Sequence, residues 1–140
     1  MDPKDVVENF RRIVTTQYIA FDGRSRRREF WYYALAFFFL TVAASILDNI
    51  LGFGGPYDGN EAAYVYFSPL TGLLELALLL PSLGLVVRRL HDTDHTGWLA
   101  VAGVIPIVGW ILLIYWYVQP GTAGTNKYGP DPKAPTAKRV

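Results

Sequence analysis

The segment "FWYYALAFFFLTVAASIL", residues 30–47, contains no charged side chain and decides the class of this protein. A helix that crosses a membrane needs about 20 apolar residues, because each adds about 1.5 Å and the hydrocarbon core is about 30 Å thick. Two further runs, residues 67–87 and 97–118, are similarly apolar apart from Glu75. Only 18% of the 140 residues are charged, too few to cover three such helices in water. We therefore predict an all-α integral membrane protein.

The apolar runs predict a single membrane domain with three transmembrane helices. The predicted parts are an N-terminal amphipathic helix within 1–20, spans over 30–50, 67–88 and 97–118, and a Gly/Pro-rich tail over 119–140. The third run contains "GVIPIVGW", with Pro106 and Gly109 near its middle, so it is either a span kinked at Pro106 or a re-entrant hairpin. Trp98 and Trp116 are spaced like two interfacial belts, which favours the kinked span.

Basic residues are distributed unevenly between the predicted loops. Seven of the 13 Lys and Arg residues precede the first span, none lies in the 48–66 loop, and Arg88 and Arg89 close the second span. The positive-inside rule therefore predicts a cytoplasmic N-terminus and a cytoplasmic 88–97 loop, with the 48–66 loop outside. A straight third span would carry the tail outside, against the charges of Lys127 and Lys133. The side of the tail stays open.

The first 20 residues combine apolar and charged side chains at helical spacing. This pattern predicts a short amphipathic helix with Pro3 near its first turn, and its apolar positions are Val6, Val7, Phe10, Ile13 and Val14. Such a helix either lies on the inner leaflet or packs against the protein's own loops.

Four motifs, in order along the chain, resemble one family of small bacterial inner-membrane proteins, the family of domain of unknown function 805. They are "FDGRSRRREFWYY" (residues 21–33), "RRLHDTDHTGW" (88–98), "IPIVGW" (105–110) and "PGTAGTNKYGPDP" (120–132). The resemblance implies a multi-pass protein of the bacterial inner membrane whose biochemical activity is not established. His91 and Asp92 fall on family positions, whereas His95 departs from the family pattern.

His91 and His95 would share one helical face, as in zinc-binding helices. However, the chain has no further His and no Cys, and "DTDHTG" is typical of a turn followed by a helix start, which Asp94 could cap. We expect a structural role here, and neither a metal nor a cofactor.

Charged residues next to the first two spans meet on the same predicted membrane face. We expect a cytoplasmic polar cap joined by charge-assisted hydrogen bonds, and its members are Arg24, Arg28, Glu29, Arg88, Arg89, His91 and Asp92. Three interpretations stay open: a structural joint between spans one and two, a site for anionic lipid or phosphate, and a catalytic centre acting on lipid headgroups.

Glu75 is the one acidic residue inside an apolar run, and an ionisable group at that depth is a candidate for function. The alternatives are proton or ion coupling in a small transporter or channel subunit, and a protonated Glu75 bonded to Thr71, Thr41 or Ser45. Net charge is only +1, which argues against a nucleic-acid partner. We predict a non-enzymatic scaffold or anionic-lipid-interacting protein that self-associates.

Overall fold

The computed structural model describes residues 2–53 and 68–134. Within these residues the regular structure is helical, and the only bridge between extended residues joins Asn126 and Gly129. The elements are α1 (Pro3–Thr15), α2 (Arg27–Ile50), α3 (Pro69–Asp92), a 3-10 segment (Gly97–Val104) and α4 (Val108–Val118). The predicted all-α class is therefore confirmed for the described part of the chain. Most of the predicted 48–66 loop lies outside the described residues.

Helices α2 and α3 are the two elements long and apolar enough to cross a membrane. Each has 24 residues, with mean hydropathies of 1.9 and 2.1 over their most apolar stretches. Large apolar side chains stay on their outer surface, since Phe39 is 61% and Leu76 is 68% exposed. The helices are antiparallel, because Asp48 near the end of α2 accepts hydrogen bonds from the N–H groups of Leu70 and Thr71 at the start of α3.

Helix α3 extends through the "RRLHD" motif, for which the sequence predicts a loop between two spans. It ends after Asp92 in a Schellman turn, in which Asp94 has a left-handed backbone with φ 62°. The N–H of Asp94 donates to the carbonyl of His91 and that of His95 donates to the carbonyl of Leu90. The predicted role of Asp94 as a cap for the third run is wrong, because no side chain caps the 3-10 segment and Asp94 terminates α3.

The third apolar run is broken around Pro106, and the preferred prediction of a continuous kinked span is not what the structure shows. Ile107 has a left-handed backbone with φ 66°, which reverses the chain between the 3-10 segment and α4. The two pieces pack closely, since a Cβ on Gly109 would lie 1.7 Å from the Ala102 carbonyl oxygen. The indole N–H of Trp110 also donates to the Gly103 carbonyl at 2.9 Å. The run therefore forms a helical hairpin.

Pro81 interrupts the hydrogen bonding of α3, and a neighbouring tyrosine compensates. Proline has no N–H, so the carbonyl four residues before it, that of Ala77, loses its helical donor. The hydroxyl of Tyr18 donates to this carbonyl at 2.5 Å. The loop after α1 therefore lies along α3, and a Cβ on Gly84 would stand 2.7 Å from the Ala20 carbonyl oxygen.

Helix α1 packs part of its apolar side on the protein itself, as one of the two interpretations of this helix predicts, while Val7 stays 67% exposed. Ile13 is fully buried in the core with residues of α2, α3 and α4. Phe10 stacks on Tyr33 of α2 with 5.3 Å between ring centroids. The side-chain amide of the buried Asn9 donates to the Glu29 carbonyl at 2.9 Å. These contacts fix α1 against the first turn of α2.

Candidate polar cap

Asp92 lies at the centre of a buried ion cluster at the end of α3. Arg24 donates through Nε to one carboxylate oxygen at 3.0 Å, and Arg89 donates through Nη1 to the other at 2.6 Å. All three side chains are at most 1% exposed. We call Arg24, Arg89 and Asp92 the cap joint. Burying charges is costly unless each is paired and hydrogen-bonded, so the remaining donors need acceptors.

Arg89 places its other donors at the end of α4. Its Nε donates to the carbonyl of Tyr117 at 3.2 Å, and Nη2 donates to those of Trp116 and Gln119. Arg27 adds a bond from Nη1 to the Val118 carbonyl at 2.9 Å. The last carbonyls of a helix have no hydrogen-bond donor within it and carry partial negative charge. A guanidinium group supplies both the donors and a compensating positive charge.

The tail folds over the cap joint and supplies acceptors to Arg24. The Arg24 guanidinium donates to the carbonyls of Thr122 at 2.5 Å and Gly124 at 2.6 Å. The backbone N–H and hydroxyl of Thr122 both donate to the Asp92 carbonyl at 2.8 Å. Gly121 passes directly over Asp92, since a Cβ there would lie 2.0 Å from a carboxylate oxygen. Any larger residue at position 121 would displace the tail.

His91 anchors the same tail by stacking. Its ring lies 3.8 Å from that of Tyr128, with an angle of 5° between their planes. Nδ1 of His91 lies 3.1 Å from the Gly23 carbonyl oxygen, and the amide of Asn126 donates to the His91 carbonyl at 2.9 Å. His91 therefore links the loop before α2 to the tail.

The structure separates the two histidines that could have formed a zinc pair. His95 lies beyond the end of α3, so the two rings do not share a helical face. Nδ1 of His95 is 3.1 Å from the Thr93 hydroxyl, and its ring is 5.0 Å from that of Trp116. In residues 2–53 and 68–134 no three His, Asp or Glu side chains are grouped as metal ligands.

Arg88 belongs to the predicted cap but contacts neither Asp92 nor Glu29 by a hydrogen bond. It is 5% exposed and donates to the side chain of Gln17 at 2.6 Å and the carbonyl of Gly84 at 3.3 Å. Its Nη2 is buried without an acceptor in the described part of the chain. The Arg88 carbonyl accepts from the Ser25 N–H at 3.0 Å.

Glu29 and Arg28 form a second group, which faces α1 instead of the cap joint. Glu29 pairs with Arg12 at 3.0 Å and also accepts from the Arg26 N–H and the Ser25 hydroxyl. Arg28 pairs with Asp5 of α1 at 3.0 Å. The predicted seven-residue cluster is thus divided into the cap joint with His91, the Glu29 group, and Arg88 between them.

Glu75 lies on the exposed outer surface of α3. Two of the three partners considered for it are engaged elsewhere, because Thr71 donates to Asp48 and Thr41 donates to the carbonyls of Phe37 and Phe38. No hydrogen bond joins Glu75 to another described residue. The structure therefore places this carboxyl on the surface that faces outward from the α2–α3 pair.

Asp131 stabilises the outer turn of the tail. The backbone N–H of Lys133 donates to it at 2.8 Å and lowers the pKa of the carboxyl below its ordinary value. Burial acts in the opposite direction, while the Gly124 N–H at 3.2 Å and the positive charge of Arg24 also lower this pKa. The turn is therefore held by an ionised aspartate.

Sequence reasoning misses several residues of the site. The sequence pattern assigns Arg12 and Asn9 only to an amphipathic helix, and it assigns Thr122, Asn126 and Tyr128 to a tail without regular structure. The ordered motif "GTAGTNKYG", so rich in turn residues and hydrogen-bonding groups, is the available signal. This motif predicts site residues only if the tail is already known to reach the cap.

Comparison with known proteins agrees with the motifs. The model of the DUF805 family, described as a protein of unknown function, matches residues 18–130. The chain belongs to this family. It is 38% identical over 120 residues to inner membrane proteins YhaH and YhaI of Escherichia coli K12, covering 86% of this chain and 93% and 92% of theirs. No solved structure matches it.

Proposed function

We propose that this protein is a small, non-enzymatic scaffold of the bacterial inner membrane, crossed by α2 and α3, with its N-terminus, cap joint and tail in the cytoplasm. The inner-membrane placement is supported by the names of the relatives YhaH and YhaI. The orientation is supported by the seven basic residues before the first span, the positive-inside rule and the absence of Lys and Arg from the 48–66 loop.

The third apolar run is proposed to enter the membrane and return to the same side. A Cβ on Gly97 at its start would lie 3.3 Å from Nε2 of His91, and Gln119 at its end accepts from Arg89, so both ends meet at the cap. The 3-10 segment is about 16 Å long and α4 about the same, half the thickness of the hydrocarbon core. This path also keeps Lys127 and Lys133 on the cytoplasmic side.

The observation that carries the scaffold proposal is the saturation of the cap joint by groups of the protein itself. Arg24 and Arg89 share the Asp92 carboxylate and direct their other donors to carbonyls of the tail and α4. A substrate would have to displace these bonds. We therefore propose that the joint holds both spans, the hairpin and the tail as one unit, and performs no catalysis.

Contact with anionic lipid is proposed for exposed basic residues around the cap. Lys4 and Arg11 on α1 and Arg27 at the start of α2 are exposed. Each basic residue near an anionic membrane surface contributes about 1 kcal/mol of attraction. The double substitution Lys4→Gln with Arg11→Gln is expected to lower retention of phosphatidylglycerol roughly thirtyfold. Unchanged retention would remove lipid attraction from the proposal.

Self-association is proposed through the outer surface of α3. An exposed carboxyl within the hydrocarbon region is costly, and a neighbouring copy could satisfy Glu75. Glu75→Leu is then expected to shift the protein from oligomer to monomer in a mild detergent, as measured by light scattering. An unchanged mass distribution would contradict self-association through Glu75.

Cysteine accessibility tests the topology directly, because the natural chain contains no cysteine. We expect a membrane-impermeant maleimide added to intact spheroplasts to label Asn49→Cys but neither Lys4→Cys nor Thr125→Cys. All three are expected to react after the membrane is opened. Labelling of Thr125→Cys from the outside would show a third full span and contradict the re-entrant hairpin.

A further inference from the structure

A cleft separate from the cap joint opens between α1 and the start of α2. It is lined by Asp5, Glu8, Asn9, Arg12, Arg26, Arg28, Glu29 and Tyr32. The lining contains three guanidinium groups and three carboxylates, so its formal charge is zero. A site for an anion alone would carry an excess of positive charge, whereas this lining offers both signs to a ligand.

The two signs are presented mainly from opposite walls. Helix α1 contributes the carboxylates of Asp5 and Glu8, and the beginning of α2 contributes Arg28. Asp5 and Arg28 pair at 3.0 Å across the opening, but their side chains are 43% and 63% exposed. Exposed ion pairs contribute little, typically below about 1 kcal/mol, so a ligand could replace this contact at low cost.

Two further groups of the lining retain hydrogen-bonding capacity. Glu8 is exposed and forms no ion pair with another described residue. Arg12 pairs through Nη2 with Glu29 and Asn9, while its Nη1 forms no hydrogen bond with another described residue. The buried Nε is closed to a ligand, so Nη1 is the donor that Arg12 offers to the cleft.

We propose that the cleft binds the phosphoethanolamine headgroup of a phospholipid. The phosphate would accept from Arg12 and Arg28, and the primary ammonium would donate to Asp5 and Glu8. This pairing satisfies the free donor of Arg12 and the free carboxylate of Glu8 with one neutral ligand. A quaternary ammonium has no N–H to donate, so the same carboxylates favour ethanolamine over choline.

The position of the cleft indicates a lipid and not a soluble phosphoethanolamine. Tyr32 lines the cleft and lies within the charge-free run that begins at Phe30. Trp31, beside it, is 41% exposed, and amphipathic aromatic rings are enriched at the level of lipid headgroups. The inference relies on the proposed cytoplasmic membrane face of α1, but not on the cap joint or on attraction to anionic lipid.

The test measures which lipids remain bound in native mass spectrometry after extraction from vesicles of equal phosphatidylethanolamine, phosphatidylcholine and phosphatidylglycerol. The full chain is expected to retain phosphatidylethanolamine over phosphatidylcholine by about tenfold, the effect of a charge-assisted hydrogen bond. Glu8→Gln should abolish this preference, and Asp22→Asn, which neutralises an exposed carboxylate outside the cleft, should preserve it. Equal retention of the two lipids, a preference for phosphatidylglycerol, or an unaltered preference in Glu8→Gln would each overturn the proposal.

Three controls distinguish headgroup recognition in the cleft from a general loss of lipid binding or of folding. Arg28→Gln should lower retention of all phospholipids at the cleft but leave the ratio of phosphatidylethanolamine to phosphatidylcholine unchanged. This substitution removes a partner of the phosphate and no partner of the ammonium group. Soluble phosphoethanolamine at millimolar concentration should not displace the lipid, and its displacement would overturn the lipid assignment. Thermal unfolding of Glu8→Gln should match the natural chain. Failure of these tests would leave the cysteine-accessibility result for the topology unaffected.

Discussion

The two ends of the α2–α3 pair are both joined through a buried aspartate, but the chemistry differs. At the cap joint, Asp92 faces two guanidinium groups, Arg24 and Arg89. At the opposite end, the donors to Asp48 among the described residues are neutral: the N–H groups of Leu70 and Thr71 and the Thr71 hydroxyl at 2.8 Å. We call this second group the far joint.

The difference follows from what each joint connects. The far joint fixes only the start of α3 against the end of α2, and a helix N-terminus already attracts negative charge through its free N–H groups. The cap joint connects four parts of the chain, including a tail that offers mainly carbonyl oxygens. Arginine supplies five donors in a fixed fork, so two arginines can bind Asp92 and these carbonyls together.

The largest expected effect comes from neutralising Asp92. Asp92→Asn leaves Arg24 and Arg89 buried beside each other without a counter-charge, and breaking a buried ion pair costs about 3 to 5 kcal/mol. Thermal unfolding in detergent should show a large loss of stability. Asp94→Asn is the matched control, because Asp94 is exposed and asparagine tolerates its left-handed backbone. Equal stability of the two variants would contradict the buried joint.

A smaller loss is expected from the far joint. Asp48→Ala removes three hydrogen-bond acceptor contacts at a helix start, where loss of a cap costs about 1 to 2 kcal/mol. Asn49→Ala is the control, since Asn49 is exposed and its side chain donates, within residues 2–53 and 68–134, to the Ser45 carbonyl. If Asp48→Ala destabilised the protein as strongly as Asp92→Asn, the proposed contrast between neutral and ionic joints would be wrong.

Between the two joints, Tyr18 and Pro81 allow a double-mutant cycle. Tyr18→Phe leaves the Ala77 carbonyl without a donor, at an expected cost of about 1 to 2 kcal/mol. In the Pro81→Ala background an alanine N–H is available to that carbonyl, so Tyr18→Phe should cost clearly less. Chemical or thermal unfolding of the four proteins measures the coupling. Additive effects would show that the hydroxyl does not replace the missing helical bond.

The smallest effect concerns pH and the outer turn of the tail. Because the pKa of Asp131 is lowered in the folded protein, its stabilising contribution is present above the ordinary aspartate value of about 4 and is lost as the pH falls through the lower folded value. Tryptic cleavage after Lys127, measured after brief exposure to acid, should increase below about pH 4. Asp131→Asn should remove this pH dependence without affecting the cap joint.

The membrane class and the family are predictable because they depend on composition and on ordered motifs, which are local properties of the sequence. The sequence predicts a loop for most of the "RRLHD" segment, but the segment belongs to the end of α3. The error arises because "DTDHTG" indicates a turn without showing which side of it ends a helix. Asp94, at φ 62°, occupies the left-handed position after the end of α3, where a glycine would have indicated the end of the helix.

The path of the third run cannot be derived in the same way. Pro106 permits both a kink and a reversal, and the spacing of Trp98 and Trp116 favours the wrong one for the structure observed. The deciding contacts join residues far apart in sequence, such as Arg24 with Gly124 and Arg26 with Pro132. Periodicity in a short window contains no information about such pairs.

The cap joint also fixes the order in which the protein can be completed during synthesis. Arg89 and Asp92 are three residues apart on one helix and can pair as soon as α3 forms. Arg24 is made before α3, but the carbonyls that accept from the two arginines lie between Trp116 and Gly129 and are made last. A chain that stops after α4 would lack the tail carbonyls of Thr122 and Gly124 that accept from Arg24. The tail is therefore the last part of the cap joint to be synthesised.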